Sequence, residues 1–431
     1  MMANLTDEQA ASLDEACQFL KNGQLDDADR SLSSLAQSPG FVPTRLFFAK
    51  LCELLDRQGR DEEFLHRINE FKQRFPQAHN PYMLAYLFFL RREDIPSAAQ
   101  EIGSCPEQSI SHTKTRAAVL YAEARLRIYQ AHLSIEQNFL RPADLEGTVL
   151  EPVDDLAICM MVRDEADVMM ANLLHHYALG CRKFAVMDNL SRDGTASVVS
   201  RFARMHADCT VLLVHDPIEG YYQARKTQGL CRLARDCFCC AGEELRLILP
   251  LDADEFVDLP SGMGFQWLVD RMMEKECEIV VFHLCNAANS SLIHYDERQD
   301  VYGLVDIVEA CSGQIVTKNA FHPRFVSGLT MGNHTLAHDD ISRDKLFVAC
   351  EVGARIIHYK YRSPRHVASK ILNGGQAVNA TKLDQHYALH WRTAYADMQQ
   401  RGFVVAEEMF ESYCRTTAKY VGKLGIPPCR I

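Results

Sequence analysis

The sequence lacks any long apolar run and any leader-like beginning. No run of about 18 uncharged apolar residues occurs in it, which argues against a membrane-spanning helix. The first eight residues contain neither a basic segment nor an apolar one, so we expect no signal peptide. We therefore predict a cytoplasmic protein, and a peripheral position at the inner face of the membrane stays open.

Positive charge is also in short supply. The 431 residues include 46 lysines and arginines against 57 aspartates and glutamates, a formal net charge of -11 at pH 7. Binding of a nucleic-acid backbone requires a broad basic surface, so nucleic acid is excluded as the main partner. A local basic cluster is still compatible with a small phosphorylated ligand.

The 16 cysteines show no spacing typical of a disulfide framework. Cys237 and Cys240 form a lone Cys-x-x-Cys, with no second pair and no histidine partner after it. We interpret them as small, semi-apolar helix residues rather than as a zinc site. So many unpaired thiols indicate a reducing compartment.

The length of the chain predicts two domains. Within residues 1–140, Leu20, Leu55 and Leu90 end three similar amphipathic helices that follow each other at intervals of 35 residues. A polar break and a second amphipathic helix follow each of them. This pattern resembles tetratricopeptide repeats, which usually bind a protein partner, and a plain helical cap on the second domain is the alternative.

The pattern changes after residues 141–155, which we interpret as a linker. Over residues 156–375, short apolar runs alternate with amphipathic helices, which predicts an α/β domain with a largely parallel sheet and helices on both faces. Residues 376–431 are expected to form a C-terminal helical extension that docks on this domain or contacts an acceptor. Ligands of such sheets bind at the carboxyl ends of the strands.

Three acids follow the fourth predicted strand of this domain: Asp252, Asp254 and Glu255. Buried acids are costly unless they are paired or bind a cation. In an extended segment Asp252 and Asp254 would point to the same side, where both could bind one divalent ion such as Mg²⁺ or Mn²⁺. A solvated turn after the strand is the alternative.

A polar loop follows the second predicted strand and leads into a helix. It runs from Asp188 and Asn189 to Thr195, and its side chains could read a base or ribose by hydrogen bonds. In the alternative interpretation, Asp193 or Thr195 only caps the helix.

Together with the segment 162–167 after the first strand, these motifs resemble glycosyltransferase family 2 in order and spacing. The resemblance covers about half of the chain. It implies a GT-A fold, which is a Rossmann-like nucleotide-diphospho-sugar transferase domain, and a hexosyltransferase-type activity that uses Mn²⁺ or Mg²⁺. It also implies a nucleotide-sugar donor, weighted towards uridine, a glycan or lipid-linked hydroxyl acceptor, and inversion at the anomeric carbon.

The resemblance also implies roles for single residues. Asp188 corresponds to the acid that reads the base, while Asp252 and Asp254 correspond to the pair that holds the metal beside the donor diphosphate. Lys226 stands where the family has an asparagine after the arginine that matches Arg225. The residues placed on the donor side are Arg163, Glu165, Asp188, Asn189, Arg225, Arg362 and Lys370. His176 matches a family histidine, and we interpret it as a hydrogen-bonded core residue.

A second cluster lies near the end of the domain, where His358, Arg362 and Lys370 resemble the ending of the same branch of the family. His358 could be a third metal ligand, a phosphate contact or a core histidine. Arg362, Arg365 and Lys370 surround the predicted start of a helix, which suits an anion. A solvated basic face is the alternative.

The general base of the reaction stays open. An acceptor hydroxyl must lose its proton as it attacks, and a carboxylate is suited to accept that proton. The candidate carboxylates are Glu255, Asp306, Glu309 and Asp339.

Two other functions are alternatives to transferase activity. The first is an adaptor whose α/β domain binds nucleotide or glycan without catalysis, but the intact acid pair argues against it. The second is a nucleotidyltransferase, which usually has an early glycine-rich loop. The first strand here leads into Arg163-Asp164-Glu165 without glycine.

Overall fold

The computed structural model describes residues 5–106, 113–134, 149–220, 222–239, 244–289, 307–308, 315–381 and 389–423. The chain divides into two compact units, Met1–Leu126 and Arg127–Ile431. Residues 141–148 of the expected linker lie outside the described residues. Within the described ranges, no helix is both long and apolar enough to cross a membrane.

Helices account for the regular structure described in the first unit. They are α1 (Asp7–Lys21), α2 (Leu25–Gln37), α3 (Arg45–Arg57), α4 (Asp61–Arg74), α5 (Asn80–Arg91) and α6 (Ile95–Gly103), and α7 (Thr113–Ser134) crosses into the second unit. From α1 to α6 each helix packs on the next, and α1 and α5 also contact α3. Buried residues of α6 and α7 share an apolar cluster. The three predicted helix pairs are therefore present, and their assignment to tetratricopeptide repeats stays a prediction.

The first helix of each pair ends in the same kind of turn. Gly23, Gly59 and Glu93 follow α1, α3 and α5 with φ of 76°, 69° and 62°. The N–H of the next residue donates to a carbonyl in the last turn of the helix, at 2.9, 2.9 and 3.0 Å. Such a left-handed turn satisfies carbonyls that the helix end leaves free, and glycine adopts it without strain.

The described residues of the second unit form a sheet of ten strands. The strands are β1 (Val153–Val162), β2 (Cys181–Asp188), β3 (Thr210–His215), β4 (Leu247–Leu251), β5 (Glu255–Asp258), β6 (Ile279–Ala288), β7 (Ile307–Val308), β8 (Thr317–Phe321), β9 (Leu346–Val348) and β10 (Arg355–His358). Their order is β3-β2-β1-β4-β8-β6-β10-β5, and β7 and β9 also pair with β6. The expected fold class, an α/β domain preceded by an all-α region, is confirmed. The sheet is mixed rather than largely parallel, because β8 runs antiparallel to both β4 and β6.

Helices of the second unit cover both faces of the sheet, as expected. They are α8 (Ala166–Ala178), α9 (Thr195–Met205), α10 (Gln223–Phe238), α11 (Phe265–Glu274), α12 (Pro364–Asn379), α13 (Leu389–Arg401) and α14 (Val404–Lys423). Ile158 and Met160 of β1 belong to the core that α8, α9 and α11 share with the sheet. Cys159, between them, interacts with Cys231 of α10 instead. Successive side chains of a strand point to opposite faces, so α10 covers the other face.

The parallel strands bring the expected residues to one edge of the sheet. Val162 at the end of β1 pairs with Asp188 of β2, which pairs with His215 of β3. On its other side β1 pairs in parallel with β4, whose last residue, Leu251, precedes the acids. The loops that follow these strands therefore meet at the same edge.

The C-terminal helices pack on this α/β domain. Buried residues of α12 and α14 share an apolar cluster with Tyr361 and with Ala288 of β6, and Trp391 and Tyr395 of α13 pack against it. The helices α13 and α14 thus pack on the domain, and the bounds of the C-terminal extension stay a prediction.

Candidate active site

A cleft of about 500 Å³ lies at the carboxyl ends of the strands. The predicted site residues that line it are Arg163, Glu165, Asn189, Asp252, Asp254, Glu255, His358 and Lys370. Asp188, Arg225 and Arg362 do not line it. The strand ends, α10, the segment 331–334 and the C-terminal helices all contribute to its walls.

The acids form a turn rather than an extended segment. The N–H of Glu255 donates to the carbonyl of Asp252 at 3.1 Å, and the chain reverses there to begin β5. The expectation that Asp252 and Asp254 point to one side of an extended chain is therefore wrong, because strand alternation does not apply within a turn. The two side chains bind different lysines.

Asp254 is buried among cationic groups. Its Oδ2 lies 2.5 Å from Nζ of Lys370 and 3.8 Å from Nη1 of Arg362, and its Oδ1 lies 3.5 Å from Nε2 of His358. Burial raises the pKa of Asp254, but Lys370, His358 and Arg362 more than offset this and hold it well below its usual range. Burial in turn lowers the pKa of His358, against the opposing effect of Asp254. The arrangement favours an ionised carboxylate and a neutral imidazole side by side.

Asp252 and Glu255 share Lys318, which is fully buried on β8. Its Nζ lies 3.3 Å from Oδ2 of Asp252 and 2.8 Å from Oε2 of Glu255. Oε2 of Glu255 also accepts the N–H of Asp252 at 3.0 Å. Burial raises the pKa of Glu255 to about 8, with Lys318 acting in the opposite direction. Asp252 is the more accessible acid, because its side chain is 34% exposed.

Polar side chains of α8 hold the backbone of this acid turn. Asn172 donates from Nδ2 to the carbonyls of Ala253 and Glu255, at 2.9 and 2.8 Å. His175 and His176 both bind the peptide groups of Val257, at 2.7 and 3.2 Å. His176 is fully buried, and burial lowers its pKa well below the usual range. The interpretation of His176 as a hydrogen-bonded core residue is confirmed.

Arg362 is committed to acids of α8 and of the loop before it. It binds Asp167 through Nε and Nη2, both at 2.8 Å, and Glu165 through Nη2 at 2.7 Å. Its side chain is 1% exposed. Burial raises the pKa of Glu165, while Arg362 and Lys370 lower it. Arg362 therefore affects the cleft by positioning Glu165 and Asp254, and none of its own N–H groups faces the cleft.

Asp164 joins three segments around the cleft. Its φ is 55°, in the left-handed region that few non-glycine residues adopt. Its N–H donates to Oγ of Ser191 at 3.0 Å, and its Oδ1 accepts the N–H of Arg192 at 2.6 Å. Its Oδ2 accepts Nδ2 of Asn373 on α12 at 2.8 Å. The contact with α12 brings the helix of Lys370 to the end of β1.

The loop after β2 supports the loop after β1. Thr195 Oγ1 accepts the N–H of Glu165 at 3.0 Å, and Asp193 Oδ2 accepts the N–H of Ala166 at 2.9 Å. Asp193 Oδ1 also accepts the N–H of Thr195, the first residue of α9, at 3.0 Å. Asp193 thus binds the first N–H of α9, whereas Thr195 does not cap that helix and the N-cap, Gly194, has no side-chain bond.

Buried polar atoms without a partner occur at the ends of β1 and β2. Among the described residues, nothing bonds to Nε and Nη1 of Arg163 or to Oδ1 of Asp188. The other oxygen of Asp188 lies 3.5 Å from Nδ1 of His215. Leaving such groups unpaired costs about 1–3 kcal/mol each, so a ligand that pairs them gains affinity.

Asn189 and Arg225 are the remaining residues that we expected to contact the sugar-nucleotide donor. Asn189 donates from Nδ2 to Oδ2 of Asp216 at 2.9 Å and to the carbonyl of Ile218 at 2.8 Å. Lys226, in the position where the family has asparagine, pairs with Asp216 at 2.7 Å. Arg225 is exposed on α10. The loop after β3 is thus tied to the cleft by Asn189 and Lys226, and Arg225 takes no part in it.

Two residues that complete the site could not be predicted from the sequence. Lys318 and Asn373 were not among the candidates, and neither belongs to a motif. Lys318 stands between a threonine and an asparagine in the sequence, so no local signal indicated that it would be buried. Of the possible bases, Asp306 and Glu309 lie outside the described residues, and Asp339 is exposed and does not line the cleft.

The described side chains do not form a closed metal cage. Among them, no three His, Cys, Asp or Glu residues stand close enough together to hold an ion. Asp254 Oδ1 and His358 Nε2, 3.5 Å apart, are the nearest approach to the predicted set of Asp252, Asp254 and His358. One carboxylate and one imidazole fit an ion that takes most of its ligands from a diphosphate and water.

No family model and no curated protein matches this sequence. Among solved structures, a mutant O-GlcNAc transferase of Thermobaculum terrenum is similar over 53% of this chain, with 12% identity and a TM-score of 0.24, and the match spans 45% of that protein. A mannosyltransferase from Pyrobaculum calidifontis in complex with GDP-Man and Mn²⁺ is similar over 73% of this chain and 94% of its own, with 15% identity and a TM-score of 0.27. Because both TM-scores are below 0.5, we base the function of this chain on its own residues.

Proposed function

We propose that this chain is a glycosyltransferase that moves a sugar from a nucleotide-diphosphate sugar to a hydroxyl acceptor in glycan synthesis. The observation that carries the proposal is the buried Asp254, held by Lys370 and His358 at the carboxyl ends of the strands. A buried acid with a lysine and a histidine in a 500 Å³ cleft is suited to a charged ligand rather than to stability alone.

Lys370 is the residue we assign to the donor diphosphate. It is the cation of this group that lines the cleft, whereas Arg362 is enclosed by acids. Burial lowers the pKa of Lys370, but Asp254 and Glu165 more than offset this and raise it above its usual value. Lys370 therefore stays charged at neutral pH and can contact a phosphate oxygen while it remains near Asp254.

A divalent ion is part of the proposal. Asp254 and His358 would hold it, and Asp252 at the more exposed end of the turn would bind it through water. When bound, Mn²⁺ or Mg²⁺ would neutralise the diphosphate and stabilise the charge that develops on the leaving group. Lys318 and Lys370 keep the remaining carboxylate oxygens occupied.

Uridine is the base that we assign to the donor. Uracil offers one N–H donor flanked by two carbonyl acceptors. Asp188 does not line the cleft, so a base must displace the groups that cover its unpaired Oδ1 before that oxygen can accept an N–H, whereas Arg163 lines the cleft and its unpaired N–H groups can donate to a carbonyl. Guanine presents two N–H donors on one edge, and the second oxygen of Asp188 faces His215. We therefore expect UDP to bind more tightly than GDP.

We assign Glu255 a positioning role. Its buried carboxylate binds Lys318 and the N–H of Asp252, which fixes the turn that carries Asp254. The base that accepts the acceptor proton, and with it the inverting course of the reaction, remains a proposal from the resemblance. Asp306 and Glu309 are its remaining candidates.

The test is hydrolysis and transfer with a panel of sugar nucleotides, with and without Mn²⁺. The full chain should release nucleoside diphosphate from a UDP-sugar, and Asp254→Asn should lower the rate by about 100-fold or more. Asp270→Asn, at an exposed site on α11, is the matched control and should keep the wild-type rate. Equal rates for the two variants would refute the catalytic role of Asp254.

The alternative is an adaptor that binds nucleotide or glycan without turnover. It is favoured by the internal cations that already neutralise Asp252 and Asp254. Calorimetry separates the two functions, because the adaptor would bind UDP with no hydrolysis of any sugar nucleotide in the panel. The repeated helix pairs of the first unit could bind a protein partner under either function.

A further inference from the structure

One face of α12 forms a wall of the cleft. Lys370, Asn373, Gly374 and Ala377 line it, with the spacing of neighbours on a single helix face. Lys370 forms an ion pair with Asp254 at one end of this wall. Because a helix rises about 1.5 Å per residue, Gly374 and Ala377 lie roughly 6 and 10 Å further along the wall.

Trp391 of α13 completes this wall. A Cβ at Gly374 would lie 2.8 Å from Cδ2 of Trp391, so the glycine is what allows the indole to lie against the helix backbone. Trp391 lines the cleft and is half-buried, and its neighbour His390 also lines it. The wall beyond Lys370 is therefore apolar and aromatic, with Ser369 and His390 as polar groups of the same cleft.

The opposite side of the cleft has a different chemistry. Arg163 and Asn189 line it at the strand ends, and Arg163 carries unpaired N–H groups there. Hydrogen-bonding groups at the edge of a sheet suit the in-plane edge of a base, whereas an indole suits the flat face of a ring.

We propose that Trp391, with Gly374 and Ala377, forms the subsite for the acceptor and binds the face of a sugar ring. This inference rests on the proposed transferase function. A sugar ring has an apolar C–H face and a polar rim of hydroxyls, which matches an indole beside polar groups. A donor with its base at Arg163 and its diphosphate at Lys370 leaves the Trp391 wall for the acceptor. The distance of about 6 Å from Lys370 to Gly374 along the helix is close to the width of one sugar ring.

Fluorescence can test the subsite, because the chain has two tryptophans. Trp267 lies on α11 and packs against the core of the sheet, away from the cleft. The full-length Trp267→Phe variant thus carries Trp391 as its single reporter. We would titrate it with UDP, and then with methyl glycosides of glucose, galactose, mannose and N-acetylglucosamine in the presence of UDP and Mn²⁺.

The expected result is a saturable change of Trp391 emission with at least one glycoside. The matched Trp391→Phe variant, which keeps Trp267, should show none. By calorimetry, Trp391→Phe should retain glycoside binding because it keeps an aromatic ring. Trp391→Ala should weaken binding by about tenfold and leave UDP binding unchanged.

Several outcomes would overturn the proposal. If UDP alone saturates the Trp391 signal and no glycoside adds to it, the indole reads the nucleotide. If UDP binds by calorimetry but no glycoside changes the emission, the acceptor subsite is refuted and the transferase function is not. If glycosides respond while no nucleotide binds, the subsite stands and the transferase function fails.

Discussion

Asn373 donates from Nδ2 to Oδ2 of Asp164 at 2.8 Å, across 209 residues of sequence. This bond joins α12, which carries Lys370, to the loop that follows β1. The same carboxylate accepts the N–H of Arg192 on its other oxygen. Asp164 is therefore the point where the two strand-end loops and the C-terminal helix meet.

Substitutions at Asn373 should show how much its bond to Asp164 contributes to the free energy of unfolding. Asn373→Ala removes one partly buried hydrogen bond to a carboxylate, and we expect it to lower the free energy of unfolding by about 1–3 kcal/mol. Asn373→Asp places two carboxylates in contact and should lower it further. Urea denaturation followed by circular dichroism measures both.

The control for that prediction is a double variant in which Asp164 and Asn373 exchange their side chains. In Asp164→Asn with Asn373→Asp, one residue again donates and the other accepts, so stability should recover relative to Asn373→Asp alone. Arg192 still finds an oxygen at position 164. Equal stabilities for Asn373→Asp and the exchanged pair would contradict a direct bond between the two side chains.

The buried Glu255 should make stability depend on pH. Its pKa is raised to about 8 in the folded protein, against 4.5 for an ordinary glutamate. The folded state thus binds the proton more tightly than the unfolded state, and the resulting stability is present below about pH 4.5 and lost as the pH rises towards 8. Glu255→Gln cannot lose a proton, so its stability relative to the wild type should increase from pH 5.5 to pH 8.5.

Urea midpoints of the wild type and Glu255→Gln at both pH values measure this difference. Lys318→Met is a second variant, because it removes the cation that offsets the raised pKa. It should be more destabilised at pH 8.5 than at pH 5.5, where the glutamate can protonate. A difference between wild type and Glu255→Gln that does not change with pH would show that Glu255 keeps an ordinary pKa.

The strand ends could be predicted because the information for them is local. Alternating apolar runs and helices place Asp188 and the acids after Leu251 at the carboxyl edge of a sheet, and neither inference needs contacts between distant residues. Family resemblance added His358 and Lys370, which do line the cleft.

The partners of these residues could not be predicted in the same way. Lys318 meets Asp252 from 66 residues away, and Asn373 meets Asp164 from 209 residues away. A lysine between polar residues of a short strand, or an asparagine in a helix, has no local pattern that identifies its partner. A turn at these acids was only the alternative, as a solvated one, and its burial could not be predicted because Asn172 of α8 supports it through the carbonyls of Ala253 and Glu255.

Substitution of Arg362 can show whether this residue positions Glu165 and Asp167 or contacts the sugar nucleotide directly. Its planar group binds Asp167 through two nitrogens and reaches Glu165 as well, which a lysine cannot reproduce. We expect Arg362→Lys to lower the free energy of unfolding by about 1–3 kcal/mol. Arg365→Lys, at an exposed site in the first turn of α12, should change it by less than about 0.5 kcal/mol.

Thermal unfolding and UDP calorimetry on both variants decide the role of Arg362. Loss of stability with a small change in UDP affinity is the expected outcome. If Arg362→Lys weakens UDP binding by tenfold or more while its unfolding temperature equals that of Arg365→Lys, Arg362 contacts the donor directly.

Two glycines in helices should respond to alanine in opposite directions. Gly375 of α12 faces Tyr395 of α13, and a Cβ there would lie 2.3 Å from the ring. The ring is part of the packing between the two helices, so Gly375→Ala must displace it and should destabilise the protein by about 1–3 kcal/mol.

Gly229 of α10 has nothing within 4 Å of its Cβ position. Gly229→Ala should stabilise the protein by about 0.5–1 kcal/mol, because alanine loses less backbone entropy in a helix. Urea denaturation of both variants measures the difference, and a stabilised Gly375→Ala would contradict the contact between α12 and α13 that places Trp391 at the cleft.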